Sequence, residues 1–81
     1  MNYRLVIEGA VLADLLASAP KERRLLADSF ARLVATPFAE PDFKEVVAGR
    51  EVLVRFFGQF AVTYWLDHAV KEVRIVNFFR D

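Results

Sequence analysis

Eighty-one residues with 56% hydrophobic and 14% aromatic content, three glycines and three prolines describe a globular chain and not a disordered one. Eleven basic and eleven acidic side chains cancel, which disfavours a protein that lives on phosphate backbones, and the lack of cysteine excludes disulfides, thiolate catalysis and Cys-type zinc sites. One small domain is expected, with a core that leaves room for a partner or for self-association. MNYRLVIEGA has no basic region leading into a long apolar run, and no segment reaches about 18 uninterrupted apolar residues, so neither export nor membrane spanning is expected. The cytoplasm is the expected home.

In chain order, Tyr3 to Glu8 alternates Tyr3, Leu5 and Ile7 with Arg4, Val6 and Glu8, the pattern of a first strand, and Gly9 gives a flexible exit from it. From Ala10 to Ala17 the residues Val11, Leu12, Leu15 and Leu16 form one stripe of a short helix with Asp14 opposite. Ser18-Ala19-Pro20 breaks and restarts the helix, with Ser18 read as an N-cap, Pro20 in the first turn and Glu22 near the positive end. The second helix runs to about Ala35 and buries Leu25, Leu26, Phe30, Leu33 and Val34, so that the two helices form an αα-hairpin. Thr36 to Phe43 holds two prolines and no period and reads as a loop anchored by Phe38 and Phe43, with Lys44 to Arg50 leading out of it.

Val52 to Arg80 is then three strand-like runs, dense in Val, Phe, Tyr and Trp, separated by Gly58-Gln59 and Asp67-His68-Ala69. They make a three-stranded antiparallel meander. The fold class is α+β, in the order β-α-α-β-β-β, an antiparallel sheet of meander plus N-terminal strand with the helical hairpin on one face. From Val52 onward four basic residues (Arg55, Lys71, Arg74, Arg80) meet three acidic ones (Asp67, Glu72, Asp81), so no basic field steers RNA to this platform.

This arrangement resembles the RelE/ParE superfamily of bacterial toxins, the toxin halves of type II toxin-antitoxin pairs, along nearly the whole chain. The resemblance is carried by the first strand, the helical hairpin ending in Leu33-Val34-Ala35-Thr36-Pro37, and Val47-Ala48-Gly49 where the family often has Leu-x-Gly. It also rests on Phe57-Gly58-Gln59-Phe60-Ala61-Val62-Thr63-Tyr64 and the late Arg80. It implies a sheet partly wrapped by two N-terminal helices and an antitoxin whose C-terminal segment wraps the toxin. Family members that cut messenger RNA on the ribosome carry a cluster of basic residues on the concave sheet. Ala61 stands at one of those arginine positions, and Val54 and Phe56 at two others. Arg55 and Arg80 remain as candidate catalytic cations.

The face of Arg55 depends on the turn. A two-residue Gly58-Gln59 turn sets it opposite Val62 on the helix-covered side; a three-residue loop sets it near Ala61, Thr63 and Trp65 on the open side. Because an unpaired buried charge is costly, the three-residue loop is expected. RNA cleavage through the 2'-hydroxyl also needs proton transfer, for which Tyr64 and His68 are the candidates. Tyr64 reads equally as core with its hydroxyl tied to backbone, and His68 as an exposed turn residue. Arg74, Trp65 and Phe78 are candidate target-binding residues, the aromatic pair for stacking a base. A metal constellation and a phosphate-cradling glycine loop are lacking in the sequence, so no cofactor is expected.

Two functions follow. One is a ParE-like toxin that binds DNA gyrase without catalysis; the other is a ribosome-dependent endoribonuclease acting on messenger RNA through Arg55 and Arg80. Neutral charge and Ala61 favour the first. Phe56, Phe57 and Phe79 are candidate contacts with the antitoxin or with a second copy in a homodimer, because the meander carries more apolar surface than one helical layer covers.

Overall fold

The computed structural model describes residues 2–80. Its elements are β1 (Arg4–Ile7), α1 (Gly9–Ala17), α2 (Pro20–Ala35), β2 (Phe43–Val47), β3 (Arg50–Phe57), β4 (Phe60–Asp67) and β5 (Glu72–Arg80). The strands form one five-stranded sheet in the order β1-β5-β4-β3-β2. The meander β3-β4-β5 is antiparallel as expected, and the N-terminal strand joins it, pairing in parallel with β5. The sheet is therefore mixed.

The second difference lies before the meander. Phe43 to Val47 forms a full edge strand paired antiparallel with β3, closed by a two-residue turn in which Ala48 (φ 53°) and Gly49 (φ 77°) both adopt left-handed backbone. That turn suits the right-handed twist of a tight hairpin. The apolar face of β2 finds no helix above it: all five residues are exposed. Phe43 and Phe38, expected as buried anchors, are largely solvent-facing.

The helical hairpin forms where expected, with different caps. Ser18 closes α1, its hydroxyl donating to the Asp14 carbonyl at 2.9 Å and its N–H to the Leu15 carbonyl at 3.1 Å. Pro20 forces the residue before it out of the helical region, so Ala19, extended at ψ 148°, takes the N-cap of α2. On α1 only Val11 and Leu15 are buried, and Leu12 and Leu16 face solvent. On α2 the buried residues are Leu26, Ser29, Phe30 and Leu33; Leu25 is exposed and Val34 half-buried. The helices thus cover the sheet through a stripe narrower than the apolar pattern.

One hydrophobic core lies between hairpin and sheet, with Leu26, Phe30 and Leu33 packed over Leu53, Phe57, Phe60, Val62, Tyr64, Val73 and Ile75. Burial of a side chain of this size stabilises by roughly 1.5–3 kcal/mol, which is how a small domain offsets its conformational entropy. The opposite face of the sheet has no layer above it among the described residues.

Candidate functional site

The open face is built by the pleat. Successive residues alternate faces, and the pairing Val54 with Thr63 and Phe56 with Ala61 puts Val54, Phe56, Ala61, Thr63 and Trp65 on the side away from the helices. The Gly58-Gln59 turn has two residues, with positive φ at Gly58 (59°) and not at Gln59, the type II′ arrangement. Phe57 accordingly pairs with Phe60 and Arg55 with Val62. The three-residue loop is not formed, and Arg55 belongs to the helix side. The reason for expecting otherwise fails on a detail: the guanidinium is not unpaired. Its Nη1 donates to the Thr36 hydroxyl at 3.2 Å and to the Thr36 carbonyl at 3.4 Å, at the negative end of α2. Arg55 fastens a helix terminus to the sheet.

A bulge decides the other arginine. Thr63 pairs with Asn77 and Tyr64 with Ile75, so β5 carries one extra residue, Val76, opposite β4. Without it, straight alternation from Arg74 would place Val76, Phe78 and Arg80 on the open face together. With it, Phe78 falls opposite Val62 and Arg80 opposite Phe60, both on the helix side, and Phe79 turns to the open face opposite Ala61. Phe78 packs near Phe30 and Phe60, with ring centroids 6.3 Å away in each case. Arg80 forms an ion pair with Glu22 at the start of α2 and donates to the Gln59 side-chain carbonyl at 3.0 Å. Arg55 and Arg80 are therefore apart from the open face, each tied to an end of α2.

Two of the expected target-binding residues do come together. The guanidinium carbon of Arg74 lies 5.7 Å from the centre of the Trp65 ring and that of Arg50 only 3.8 Å, an arginine-aromatic cluster on the open face. Arg74 is also held by Glu72 at 2.8 Å, and Glu72 holds Arg4 at the same distance. Arg50 has no carboxylate within ion-pair distance among the described residues. A cavity of about 290 Å³ beside the cluster is lined by Arg50, Val52, Trp65, Val76 and Glu8. Arg50 has no role in a segment that merely leads into the meander; the Ala48-Gly49 hairpin turn is the sequence signal that sets it on a strand.

The apolar half of the face runs across the sheet as Phe56, Ala61 and Phe79. Phe56 is 41% and Phe79 48% exposed, while Ala61 between them is fully covered. Phe43 extends the row, edge-on to Phe56 at 5.5 Å. Phe57, proposed with these as a contact residue, is instead buried in the core.

Neither proton-transfer candidate faces this surface. Tyr64 is completely buried under the helices, and burial pushes its phenol above the usual value; the neighbouring Arg55 pulls it back in part and Asp42 adds a smaller rise. Its hydroxyl lies by Arg55, yet has no hydrogen bond of full geometry, to backbone or otherwise, among the described residues. His68, in the β4–β5 turn, shares a 2.7 Å hydrogen bond between its Nδ1 and the Tyr3 hydroxyl and stacks on Phe38, with planes 10° apart. It locks the loop, the first strand and the turn together. No group of three or more metal-ligating side chains occurs among the described residues.

A chain of the archaeal RelE–RelB complex from Pyrococcus horikoshii superposes with a TM-score of 0.75 at 20% identity, over 99% of this chain and 96% of that one. The chain has the RelE fold. The toxin-antitoxin complex RelBE2 from Mycobacterium tuberculosis matches with a TM-score of 0.75 at 19% identity over the whole of both chains. A double arginine-to-alanine mutant of toxin RelE from Escherichia coli, in the free state, matches with a TM-score of 0.64 at 14% identity, over 99% and 84%. No protein-family model and no curated protein matches the sequence. The RelE fold supplies the layered sheet and hairpin; the residues on its open face are this chain's own. No helix among the described residues is long and apolar enough to cross a membrane.

Proposed function

We propose that this protein is the toxin of a type II toxin-antitoxin pair in the cytoplasm and that it arrests growth by binding a protein target, not by cutting RNA. The observation that carries this reading is the row Phe56–Ala61–Phe79, which places an alanine between two exposed phenyl groups where an RNA-cleaving site needs a cation. Tyr64 is sealed away and His68 is engaged by Tyr3, so the open face has none of the expected groups for moving a proton. Exposed aromatic side chains flanked by arginine suit protein recognition. DNA gyrase is the target that the ParE resemblance implies. An antitoxin neutralises the toxin, a partner supported by the toxin-antitoxin complexes among its structural neighbours, and the exposed row Phe56–Ala61–Phe79 is the face for it to cover.

The ribosome-dependent nuclease is the second reading, favoured by one observation, the stacking of Arg50 and Arg74 on Trp65. Induced expression separates the two. Growth arrest with gyrase-linked DNA breaks and intact messages supports the binder; arrest with messages cut at ribosome-bound codons establishes the nuclease.

A further inference from the structure

A second surface lies on the helix side. Lys21, Arg24, Leu25, Asp28 and Arg32 share one outward stripe of α2, at spacings of three and four residues. Two cavities lie along it, between the helix and the β3–β4 hairpin. One, of about 500 Å³, is bordered by Lys21, Arg24, Gln59 and Phe60. The other, of about 290 Å³, is bordered by Ser29, Arg32, Phe57 and Gly58. Leu25 and Asp28 border both. Gly58, whose turn requires positive φ, carries no side chain into the groove; a Cβ there would come 3.8 Å from Leu25.

The floor is apolar and the walls are unevenly charged. Leu25 is 39% exposed although it faces the groove from a helix whose other large aliphatic side chains are mostly covered. Glu22 is neutralised by Arg80. Lys21, Arg24 and Arg32 then oppose the single carboxylate of Asp28, and none of the four lies within ion-pair distance of an opposite charge among the described residues. A solvated helix face has such charges too, but it does not border two cavities with a leucine between them.

The geometry points to this groove as a docking site for an extended, acidic segment of a protein partner. Arg24 and Arg32 are eight residues apart, about 12 Å along the helix. An extended chain advances about 3.3 Å per residue, so carboxylates four residues apart reach both. Side chains at the first, third and fifth positions of such a segment share one face, which sets the third beside Asp28, about 4.5 Å along the helix from Leu25 and close enough for a large apolar side chain to reach back onto it. Asp28, at the midpoint, excludes a third acid there. The partner motif is acid, any residue, apolar residue, any residue, acid. The groove adjoins the open face at Phe56, which also lines its second cavity, but the proposal does not depend on the toxin reading.

Selection of random dodecapeptides on the full chain tests the site. Selected peptides should be enriched in the acid-x-apolar-x-acid pattern. Charge reversal by Arg24→Glu with Arg32→Glu should weaken the best peptide about tenfold or more. Leu25→Asp should abolish its binding, and Lys44→Glu on β2 should leave it unchanged, all with the wild-type circular dichroism spectrum. No selected binder, binders without acidic enrichment, or an affinity unmoved by the paired reversal would overturn the proposal. Displacement of the peptide by a single-stranded oligouridine of equal affinity would also overturn it, marking a nucleic-acid surface.

Discussion

Tyr64→Phe is the substitution that best separates a catalytic phenol from a packed one. The side chain is fully buried, and its hydroxyl has no hydrogen-bond partner among the described residues. A buried polar group left unsatisfied costs roughly 1–3 kcal/mol, since it gives up water and gains nothing in return. The adjacent Arg55 guanidinium offsets part of that cost, so loss of the hydroxyl should stabilise the fold by about 1 kcal/mol, or a rise in Tm of about 4–8 °C for a domain of this size. A pH signature accompanies it. Burial raises the phenol's pKa above its unfolded value near 10, so its contribution is fully present below about pH 10 and is lost as pH rises from there through the folded value. Thermal and urea unfolding between pH 7 and 11 should show the wild type losing more stability above pH 10 than the Tyr64→Phe variant. A variant destabilised by 1 kcal/mol or more, with no change in the alkaline slope, would refute the reasoning and show that the hydroxyl is bonded in solution.

Four further outcomes follow from the same contacts. Phe57→Ala should cost about 3–5 kcal/mol and unfold a marginal domain, whereas Phe56→Ser and Phe79→Ser should keep the unfolding midpoint within about 1 kcal/mol of wild type and abolish growth arrest. Arg80→Ala, which removes an exposed ion pair to Glu22, should shift stability by no more than about 1 kcal/mol and leave growth arrest intact, as scored by plating after induction. Ala48→Gly should raise the urea midpoint by the equivalent of about 1 kcal/mol, because Ala48 holds a left-handed conformation that glycine adopts without cost. The isolated chain, with Phe43, Phe56 and Phe79 exposed on one face, should sediment as a dimer or precipitate, and a monodisperse monomer at high concentration would count against the docking face.

Much of the architecture was legible because its signals are local. Period-two runs bounded by Gly58-Gln59 and Asp67-His68-Ala69 gave the meander, and helical spacing with a break at Ser18-Ala19-Pro20 gave the hairpin. What escaped was non-local. The direction of β1 is set by its pairing with β5, a contact more than 60 residues away that no periodicity encodes. The strand β2 is exposed throughout, so it lacks the buried alternation by which strands are recognised, and its only signature is the Ala48-Gly49 turn.

The site was harder to read for the same physical reason. The bulge at Val76 inverts the faces of the last four described residues, so Arg80 and Phe78 leave the open face and Phe79 enters it. Nothing in the run Arg74 to Arg80 marks that extra residue. Arg55 was assigned by the cost of an unpaired charge, a sound rule whose premise depends on Thr36, nineteen residues earlier in the chain. Trp65 and Arg74 are target-binding candidates in the sequence, but nothing there pairs them; the β4–β5 register brings them together, and Arg50, which stacks more closely on the ring, comes from the β2–β3 hairpin that has no periodic signature.

Whether the open face binds or cuts decides the function of this chain. Primer extension on a defined message held in programmed ribosomes, with the purified chain added at a molar excess, answers this directly. Full-length product at every codon is the expected result. Discrete stops at the codon in the ribosomal acceptor site, lost on Arg50→Ala or Trp65→Ala, would contradict it.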